Sequence, residues 1–520
     1  SICYNNNNVA GTNIGRVTYS NVPTDQYIAV NVVSGIQYRI ATTTNDRGFV
    51  KRLTLFNGGN TTTALATTNA TATNTAATID WTATFTGVLY VVFNTANCQT
   101  SAQTDTITAS YIGGSNNVDS QTAAGTNSWI GHVYNFLDSV PIGGGGSPGP
   151  SDSDAFSSYI GYFTQNNTVS GSTISFNNNY GGNDNCFNVI AGGTTQTVRT
   201  ETFSVRYRMQ TTSEVYPAGC YFVNITGDDG VRLYIDGTLV FNSWIQQGST
   251  NYNNVLVYLN GNSQLLLDFY EKNGGNVSNF SIFPATTTIN SLNTVTPVGP
   301  VARCINTATL LTGGIVATQG NNTIPPVQYQ WQSSTDNTTW TDITGATSLD
   351  YTVPGTSPAA ATQIYYKRNV RSTVNSSACV FSSNVVSIIT SSTNTTPSVP
   401  TSGAGTNISC SSFTANWASS PSATSYRLDV STVNNFTSFV SGYQDFNVGF
   451  VTSFNVTGLG IGTYFYRVRA VNGCGNTTSS SSLDQTVTTV NPSATISGTT
   501  SVCQNAASPN ITFANPTSSE

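Results

Sequence analysis

Two adjacent acidic residues, Asp228 and Asp229, are the strongest candidates for chemistry in this sequence. They precede Gly230 in the segment TGDDG, so their carboxylates repel each other unless a cation or several N–H donors neutralise them. This arrangement is therefore a candidate ligand site. The alternative is a structural role, because Asp-Gly turns commonly form without any metal.

A β-hairpin is expected to position this acidic pair. Alternate residues from Val231 to Ile235 are apolar, which is the pattern of a strand with one buried face. Asp236-Gly237 then supplies a tight turn into a second apolar strand that starts at Leu239. The sequence predicts a hairpin with an acidic mouth, in which Asp236 is a turn residue rather than a ligand.

The segment GDDGVRLYIDGTLVFNSW, which starts at Gly227, resembles the signature hairpin of the anthrax protective-antigen-type β-sandwich domain. That family occurs in bacterial toxins, adhesins, glycosidases and yeast flocculation lectins. Four further segments resemble its other strands: WIGHVYNF from Trp129, YIGYF from Tyr159, ETFSVRYRM from Glu201 and QLLLDFYEKNGGNVSNFSIF from Gln264. The resemblance implies the same β-sandwich fold.

Sugar-binding members of that family use the paired aspartates, joined by an unusual cis peptide, to hold a calcium ion that sugar hydroxyls complete. The resemblance implies that Asp228 and Asp229 are calcium ligands, and that the loop from Asn273 to Asn276 supplies further oxygens, with Asn276 as a third metal ligand. Tyr252 lies in the next polar loop and is a candidate for stacking on a sugar ring. These five residues form the predicted ligand-binding set.

Catalysis has little support in the sequence. His132 is the only histidine, and no nucleophile motif lies near it. We interpret it as a buried, hydrogen-bonded core residue. Glu214 and Glu271 are isolated, and spacing alone does not place two carboxylates across a sugar. We expect that the chain is not an enzyme.

For two other features, Trp244 and a second acidic cluster, we prefer a structural interpretation to a binding role. Trp244 follows the hairpin and could stack on a sugar, but core packing is preferred. Asp152, Ser153 and Asp154 form a second acidic cluster that could reach a cation, and a solvated loop is the preferred interpretation.

The composition indicates an exported, all-β protein. Only 8% of the 520 residues are charged, far below the roughly 25% of ordinary soluble proteins. Asn, Thr, Ser and Gly carry the polarity instead, and β-branched Thr suits a pleated surface. The net charge of −6 and the absence of basic runs argue against nucleic acid as a partner. No apolar stretch approaches the ~18 residues of a membrane span, so membrane insertion is not expected.

The length predicts three to five domains, and the apolar runs favour tandem β-sandwich modules arranged as beads on a string. Trp331 is expected in the core of the third module, and Trp417, Tyr426, Leu459 and Tyr466 in the core of the fourth. The expected modules are 1–118, an N-terminal β-sandwich similar to peptidase-associated domains; 125–288, the protective-antigen-type, lectin-like domain; 302–391, immunoglobulin-like; 403–490, fibronectin type III-like; and 493–520, the start of a further module.

Nine cysteines favour an oxidising compartment, since no CxxC motif suggests a metal-thiolate site. Sequence does not fix connectivity, but pairing neighbours in order places one disulfide inside each predicted module. Cys503 is left over, and we expect its partner beyond Glu520 in a longer chain. The pairs in this scheme are Cys3 with Cys98, Cys186 with Cys220, Cys304 with Cys379, and Cys410 with Cys474.

The combination of modules resembles the large surface adhesins that bacteria export by the type IX pathway, including gliding-motility adhesins. The resemblance implies an extracellular, cell-surface protein whose signal peptide has been removed, with calcium as cofactor and a surface polysaccharide or glycoconjugate as partner. Other cell-surface proteins are a further possible partner. Two alternatives stay open: a structural filament or protein-docking array without sugar binding, and an accessory region of a secreted hydrolase.

Overall fold

The chain divides into two compact units, and each is described by itself. The first unit contains residues 1–292, 315–328 and 370–381, and the second contains residues 293–314, 329–369 and 382–520. The structure is a computed structural model that describes residues 14–98, 101–136, 143–182, 185–200, 202–318, 324–373, 378–475, 477, 485–489, 496–498 and 511–513.

The first unit begins with a sandwich of two four-stranded antiparallel sheets, ordered β1-β8-β3-β6 and β2-β7-β4-β5. In β2, Ile28, Val30 and Val32 are buried while the residues between them are exposed. This alternation is what a strand with one face on a core requires. The strands are β1 (Ile14–Pro23), β2 (Gln26–Val32), β3 (Ile36–Ala41), β4 (Lys51–Asn57), β5 (Asn60–Asn69), β6 (Thr78–Thr82), β7 (Gly87–Thr95) and β8 (Thr104–Gly114).

A second, larger sandwich completes most of this unit. A nine-stranded sheet, ordered β15-β14-β11-β10-β16-β21-β18-β19 with β9 beside β16, faces a five-stranded sheet ordered β12-β13-β22-β17-β20. Its elements are β9 (Gly125–Thr126), β10 (Trp129–Asn135), α1 (Asp152–Ala155), β11 (Ser158–Gln165), β12 (Thr168–Ser170), β13 (Thr173–Asn179), β14 (Cys186–Ala191), β15 (Thr194–Arg199), β16 (Thr202–Gln210), β17 (Gly219–Asp228), β18 (Gly230–Ile235), β19 (Thr238–Ser243), β20 (Thr250–Leu259), β21 (Gln264–Lys272), β22 (Val277–Pro284), the 3-10 turn η1 (Ala285–Thr287) and α2 (Ile289–Leu292).

An aromatic cluster joins the two sheets of this second sandwich. Trp129 of β10 is fully buried and meets Phe176 of β13 and Phe280 of β22 edge-on, with ring centroids 5.8 and 5.0 Å apart. Edge-to-face contacts of this kind add to the energy of burial. Neither of the α-helices that the structure describes is long enough to cross a membrane, since each has four residues.

The second unit consists of shorter β-sheets. Its strands are β23 (Val295–Thr296), β24 (Val301–Arg303), β25 (Thr309–Gly313), β26 (Gln328–Ser334), β27 (Thr341–Asp342), β28 (Tyr351–Val353), β29 (Thr362–Arg371), β30 (Val380–Ser382), β31 (Val386–Thr390), β32 (Phe413–Asn416), β33 (Ser425–Ser431), β34 (Phe446–Gly449), β35 (Ser453–Val456), β36 (Gly462–Val471), β37 (Gln485–Thr489), β38 (Ile496–Gly498) and β39 (Ile511–Phe513). The larger sheets are ordered β24-β31-β29-β26-β27, with β30 beside β29, and β34-β33-β36-β37.

The predicted core residues of the second unit are buried. Trp331 is fully buried, and its indole N–H donates to the Ser348 carbonyl at 3.0 Å. Trp417, Tyr426, Leu459 and Tyr466 belong to one core cluster. The architecture is therefore all-β and built from tandem sandwich modules, as the sequence predicts.

The predicted disulfide scheme is wrong, because the two bridges whose cysteines are both among the described residues connect predicted modules instead of closing each one. Cys220 pairs with Cys379, 159 residues away, and Cys304 pairs with Cys474, 170 residues away. All four predicted pairings therefore fail, because Cys98 and Cys410 carry free thiols and because each of these two bridges joins cysteines that were assigned to different pairs. Cys186 is disulfide-bonded, while Cys3 and Cys503 lie outside the described residues.

The bridge from Cys220 secures two segments of the third predicted module against the second sandwich. Ser372 donates to the Leu256 carbonyl at 2.8 Å, and Leu256 N–H donates to the Pro326 carbonyl at 3.1 Å. Sequence order does not reveal such pairing, because segments far apart in the chain approach only when the sheets have formed.

Replacing Cys220 and Cys379 together by serine should destabilise the first unit by about 4 to 5 kcal/mol, because the bridge closes a long loop in the unfolded chain. Denaturant unfolding under non-reducing conditions measures this loss. The control is Cys98→Ser, which removes an exposed free thiol and should leave stability within about 0.5 kcal/mol. Equal stability of the double variant and the native protein would contradict the assignment.

Candidate functional site

The acidic pair lies where the chain passes from one sheet of the second sandwich to the other. Asp228 ends β17 and is paired with Val277 in the five-stranded sheet, whereas Gly230 begins β18 and is paired with Tyr270 in the nine-stranded sheet. The peptide bond between Asp228 and Asp229 is cis, the geometry that the family resemblance implies. The two carboxylates are thus placed at an edge of the sandwich.

The predicted hairpin follows this crossing. β18 and β19 are joined by Asp236 and Gly237, both of which have positive φ angles of 49° and 76°. This is the backbone that a two-residue hairpin turn requires. Asp236 also accepts hydrogen bonds from Gln264 N–H at 2.8 Å and from the Ser263 hydroxyl at 3.0 Å, which confirms it as a turn residue.

Asp229 is almost fully buried and joins three segments. One carboxylate oxygen accepts from Gln247 N–H at 3.1 Å and the other accepts from Lys272 N–H at 3.0 Å. The Gln247 side-chain amide donates to the Asp229 carbonyl at 3.0 Å. Burial raises the pKa of Asp229 to about 7; the two N–H donors lower it, and the Asp228 carboxylate raises it. A nearby cation would therefore stabilise the charged form of the Asp229 carboxyl group.

Asp228 is half-buried and faces the loop that follows β21. Burial raises its pKa, and a hydrogen bond with the Ser249 backbone opposes that shift. A Cβ added to Gly275 would lie 2.8 Å from Asp228 Oδ2. Glycine at 275 therefore allows the loop to approach this carboxylate closely.

A third carboxyl group, that of Glu271, lies beside the pair and was not predicted as a site residue. It is fully buried, and neither oxygen has a hydrogen-bond partner of normal geometry among the described residues. Burial is the main reason that its pKa is raised to about 10, and the negative charges of Asp229 and Asp228 raise the pKa further. The nearby backbone of Asp229 acts in the opposite direction. The signal was present in the sequence, since Glu271 occupies an inward position of β21 in register with Leu267 and Phe269.

Two residues of the predicted ligand set have other roles. Tyr252 is fully buried, and its hydroxyl bonds to Ser243 and Gln247, both at 2.6 Å. A sugar cannot stack on this ring, so that prediction is wrong. The Asn276 side chain donates to the Thr200 carbonyl at 3.1 Å and accepts from Gly182 N–H at 2.9 Å.

Asn276 is therefore assigned to positioning the loop, in place of the predicted role as a metal ligand, because its amide is buried and used at both ends. Asn273, by contrast, is exposed with a φ of 66°. Its role as an oxygen donor at the mouth stays a prediction. Backbone carbonyls of the same loop are further candidate donors.

Two other candidate residues, His132 and Trp244, make structural contacts. His132 is buried, with Nε2 2.8 Å from the Ala123 carbonyl and Nδ1 3.4 Å from the Tyr159 hydroxyl, which confirms the core interpretation. Burial lowers its pKa. Trp244 is half-buried against Tyr270, with centroids 4.7 Å apart, and its indole N–H donates to the Pro150 carbonyl.

The second acidic cluster is exposed to solvent, as predicted, but it forms the short helix α1 instead of a loop. Asp152 begins the short helix α1, and its carboxylate lies 2.7 Å from the Arg232 guanidinium. Asp154 accepts a hydrogen bond from the Ser151 hydroxyl at 2.6 Å. The positive charge beside Asp152 is therefore the Arg232 guanidinium group, in place of the bound cation that was the alternative interpretation of this cluster.

The donor chemistry of the mouth fits a hard cation such as calcium. Carboxylate, amide and carbonyl oxygens are the ligands that calcium prefers. Within the described ranges, no three His, Cys, Asp or Glu side chains are arranged to hold a metal ion. Asp228 and Asp229 would therefore hold calcium together with neutral oxygens such as that of Asn273.

Comparisons with known proteins give two family matches, each to part of the chain. Residues 17–116 match "Domain of unknown function (DUF8695)", and residues 301–392 match "Domain of unknown function (DUF8696)". No curated protein matches the chain.

Solved structures similar to the chain contain fibronectin and PA14 domains. The FN1–FN3 domains of chicken CNTN1 are 13% identical, with 56% of this chain and 94% of that chain covered and a TM-score of 0.20. The PA14 domain of the MpAFP antifreeze protein is 14% identical over 33% and 88%, with a TM-score of 0.23. The PA14 sugar-binding domain of an RTX adhesin is 14% identical over 30% and 89%, with a TM-score of 0.18. Similarity at this level does not establish a shared ligand.

Replacing Glu271 by glutamine should stabilise the protein at alkaline pH. Because the folded pKa of Glu271 lies above the ~4.3 of an unfolded glutamate, the native protein is most favoured below that value and loses stability as pH rises toward 10. The variant does not titrate there. We expect a gain of about 1 to 3 kcal/mol at pH 8 that disappears near pH 4.5.

Denaturant unfolding in chelator, repeated between pH 4.5 and 8, measures this difference. Glu214→Gln changes an exposed glutamate and serves as the matched control with no pH-dependent gain. A difference between Glu271→Gln and the native protein that stays constant with pH would refute the assignment of a buried, protonated carboxyl.

Proposed function

We propose that the chain is part of a bacterial cell-surface adhesin whose lectin-like sandwich binds extracellular glycans through calcium at Asp228 and Asp229. The observation that carries this proposal is the adjacent pair of carboxyl groups at the sheet crossing, Asp228 and Asp229, with the buried carboxyl group of Glu271 nearby, where burial raises the pKa of each. A bound cation relieves the repulsion that this arrangement creates.

The side chains around the mouth have separate roles in this proposal. Asp229 is held in place by Gln247 and Lys272 N–H groups, so one carboxylate is oriented before any ligand arrives. Asp228 is less constrained and faces the loop at Gly275. A calcium ion bound between them would offer its remaining coordination positions to neighbouring sugar hydroxyls.

The remaining modules would act as spacers that hold the lectin-like sandwich away from the cell. Cross-module disulfides support an oxidising, extracellular location. Export by the type IX pathway and a role in gliding motility belong to the same proposal through the sequence resemblance. We also propose that the chain has no enzymatic activity, because its only histidine is buried and hydrogen-bonded within the core.

The proposal predicts calcium-dependent glycan binding that needs both aspartates. Calcium should raise the melting temperature of the native protein and permit binding to a glycan array. Asp228→Asn and Asp229→Asn should each lower calcium affinity at least tenfold, because each removes a charged ligand. The matched control is Asp236→Asn, which changes the other end of the same hairpin and should bind as the native protein does.

Two results would contradict parts of this proposal. Glycan binding that persists in chelator would remove calcium from the mechanism. A blank array together with no thermal shift by calcium would favour spacer or docking modules without sugar binding.

A further inference from the structure

Three arginines lie together on the outer face of the nine-stranded sheet, away from the acidic mouth. Arg206 of β16 and Arg232 of β18 are both paired in register with Asp268 of β21, which lies between them. Arg208 is two residues further along β16, opposite Leu266. Since the chain has only 17 lysines and arginines in 520 residues, this grouping is a marked local concentration of positive charge.

Two of these arginines are neutralised by carboxylates. Arg206 forms a two-pronged ion pair with the fully buried Asp268, at 2.8 and 2.9 Å. Arg232 bonds Asp268 at 3.0 Å and Asp152 at 2.7 Å. Three guanidinium groups therefore face two carboxylates, which leaves one positive charge on this face.

Arg208 carries the charge that is left over. Among the described residues, no carboxylate lies within ion-pair distance of it, and its buried Nε has no hydrogen-bond partner. Burial lowers the pKa of Arg208, and the positive charge of the neighbouring Arg206 lowers it further. A guanidinium group without a partner in a partly buried position is costly, and an anion with two oxygens matches its geometry.

A cavity of about 380 Å³ opens beside this arginine. Tyr234, which faces Leu266 from the next strand, offers an aromatic ring in the wall, and Thr122 and Gln264 add a hydroxyl and an amide. The Asp152 carboxylate also lines the cavity, where its charge is paired with Arg232. The volume lies in the range of small-molecule sites. The Tyr234 position is five residues from Asp229 along a strand, roughly 16 Å away, so this cavity is separate from the acidic mouth.

We propose that this cavity is a second binding site, which takes a sugar bearing one carboxylate, such as a uronic acid, through Arg208. The single unbalanced positive charge matches a monoanion. The Arg208 fork receives the carboxylate, Tyr234 packs on the apolar face of the ring, and Thr122 and Gln264 bond its hydroxyls. No metal takes part, because the attraction comes from the guanidinium group.

The segment before β9, which also lines the cavity, is anchored to the core. His132 Nε2 lies 2.8 Å from the carbonyl of Ala123, which is between two residues that line the cavity, Thr122 and Ala124. Because His132 is buried, this contact anchors an otherwise exposed segment. The site is therefore assembled from sheet and loop together before a ligand binds.

The test is titration of the whole chain with sodium glucuronate, followed by calorimetry or ligand-observed NMR. Glucose and inorganic phosphate serve as the neutral and the non-sugar anionic probes. We expect glucuronate to bind in chelator, glucose to bind at least tenfold more weakly, and phosphate to bind more weakly than glucuronate. Arg208→Gln should weaken glucuronate binding about tenfold or more, whereas Arg39→Gln, at an exposed ion pair of the first sandwich, should not change it.

A second variant keeps the test decisive if Arg208→Gln disturbs folding. Ala124 is an exposed residue of the cavity wall, so Ala124→Phe should block the cavity and abolish glucuronate binding without altering the core. Unchanged binding in that variant, equal binding of glucose and glucuronate, or tighter binding of phosphate would each overturn the proposal. Asp228→Asn should bind glucuronate as the native protein does, so failure of the calcium proposal is seen separately.

Discussion

The carboxylate of Asp229 is the contact on which the geometry of the acidic mouth depends. It accepts N–H groups from the segment after β19 and from the end of β21, just where the chain leaves one sheet for the other. A charged group that receives two backbone donors is strongly oriented. It thereby fixes the loop positions around it, and Asp228, Glu271 and Gly275 are brought together as a consequence.

On the outer face of the nine-stranded sheet, by contrast, the buried carboxylate is neutralised by neighbouring cationic side chains. There Asp268 is surrounded by guanidinium groups and is fully paired, whereas Glu271, three residues later in the same strand, has no cationic group among those that shift its pKa. One strand thus carries a compensated carboxylate on one face and an uncompensated one on the other. This contrast distinguishes a structural charge from a group near a candidate cation site.

Local patterns in the sequence were sufficient for the strands and the turn. Alternation predicts β18, and Asp236-Gly237 predicts the positive φ angles that the turn shows. The single histidine was correctly interpreted as a core residue. These features depend on neighbours a few residues away, so a single sequence contains the information.

Contacts between distant segments could not be obtained in the same way. Neighbour pairing of cysteines failed, because Cys220 and Cys304 each reach a partner more than 150 residues along the chain. Tyr252 looked like a loop residue, but the buried hydroxyl network with Ser243 and Gln247 forms only after the strands assemble. Glu271 was identifiable by its inward register, yet its unpartnered state depends on packing from several strands.

The bridges of Cys220 with Cys379 and of Cys304 with Cys474 also interlace along the chain, since Cys304 lies inside the loop that the first bridge closes while Cys474 lies outside it. A tensile load on the two ends could draw out only the shortest of the three chain segments that connect the two bridges, which runs from Cys304 to Cys379. Modules joined in this manner cannot lengthen one after another as independent links do. The covalent connectivity therefore limits the contour length that the chain can release under force.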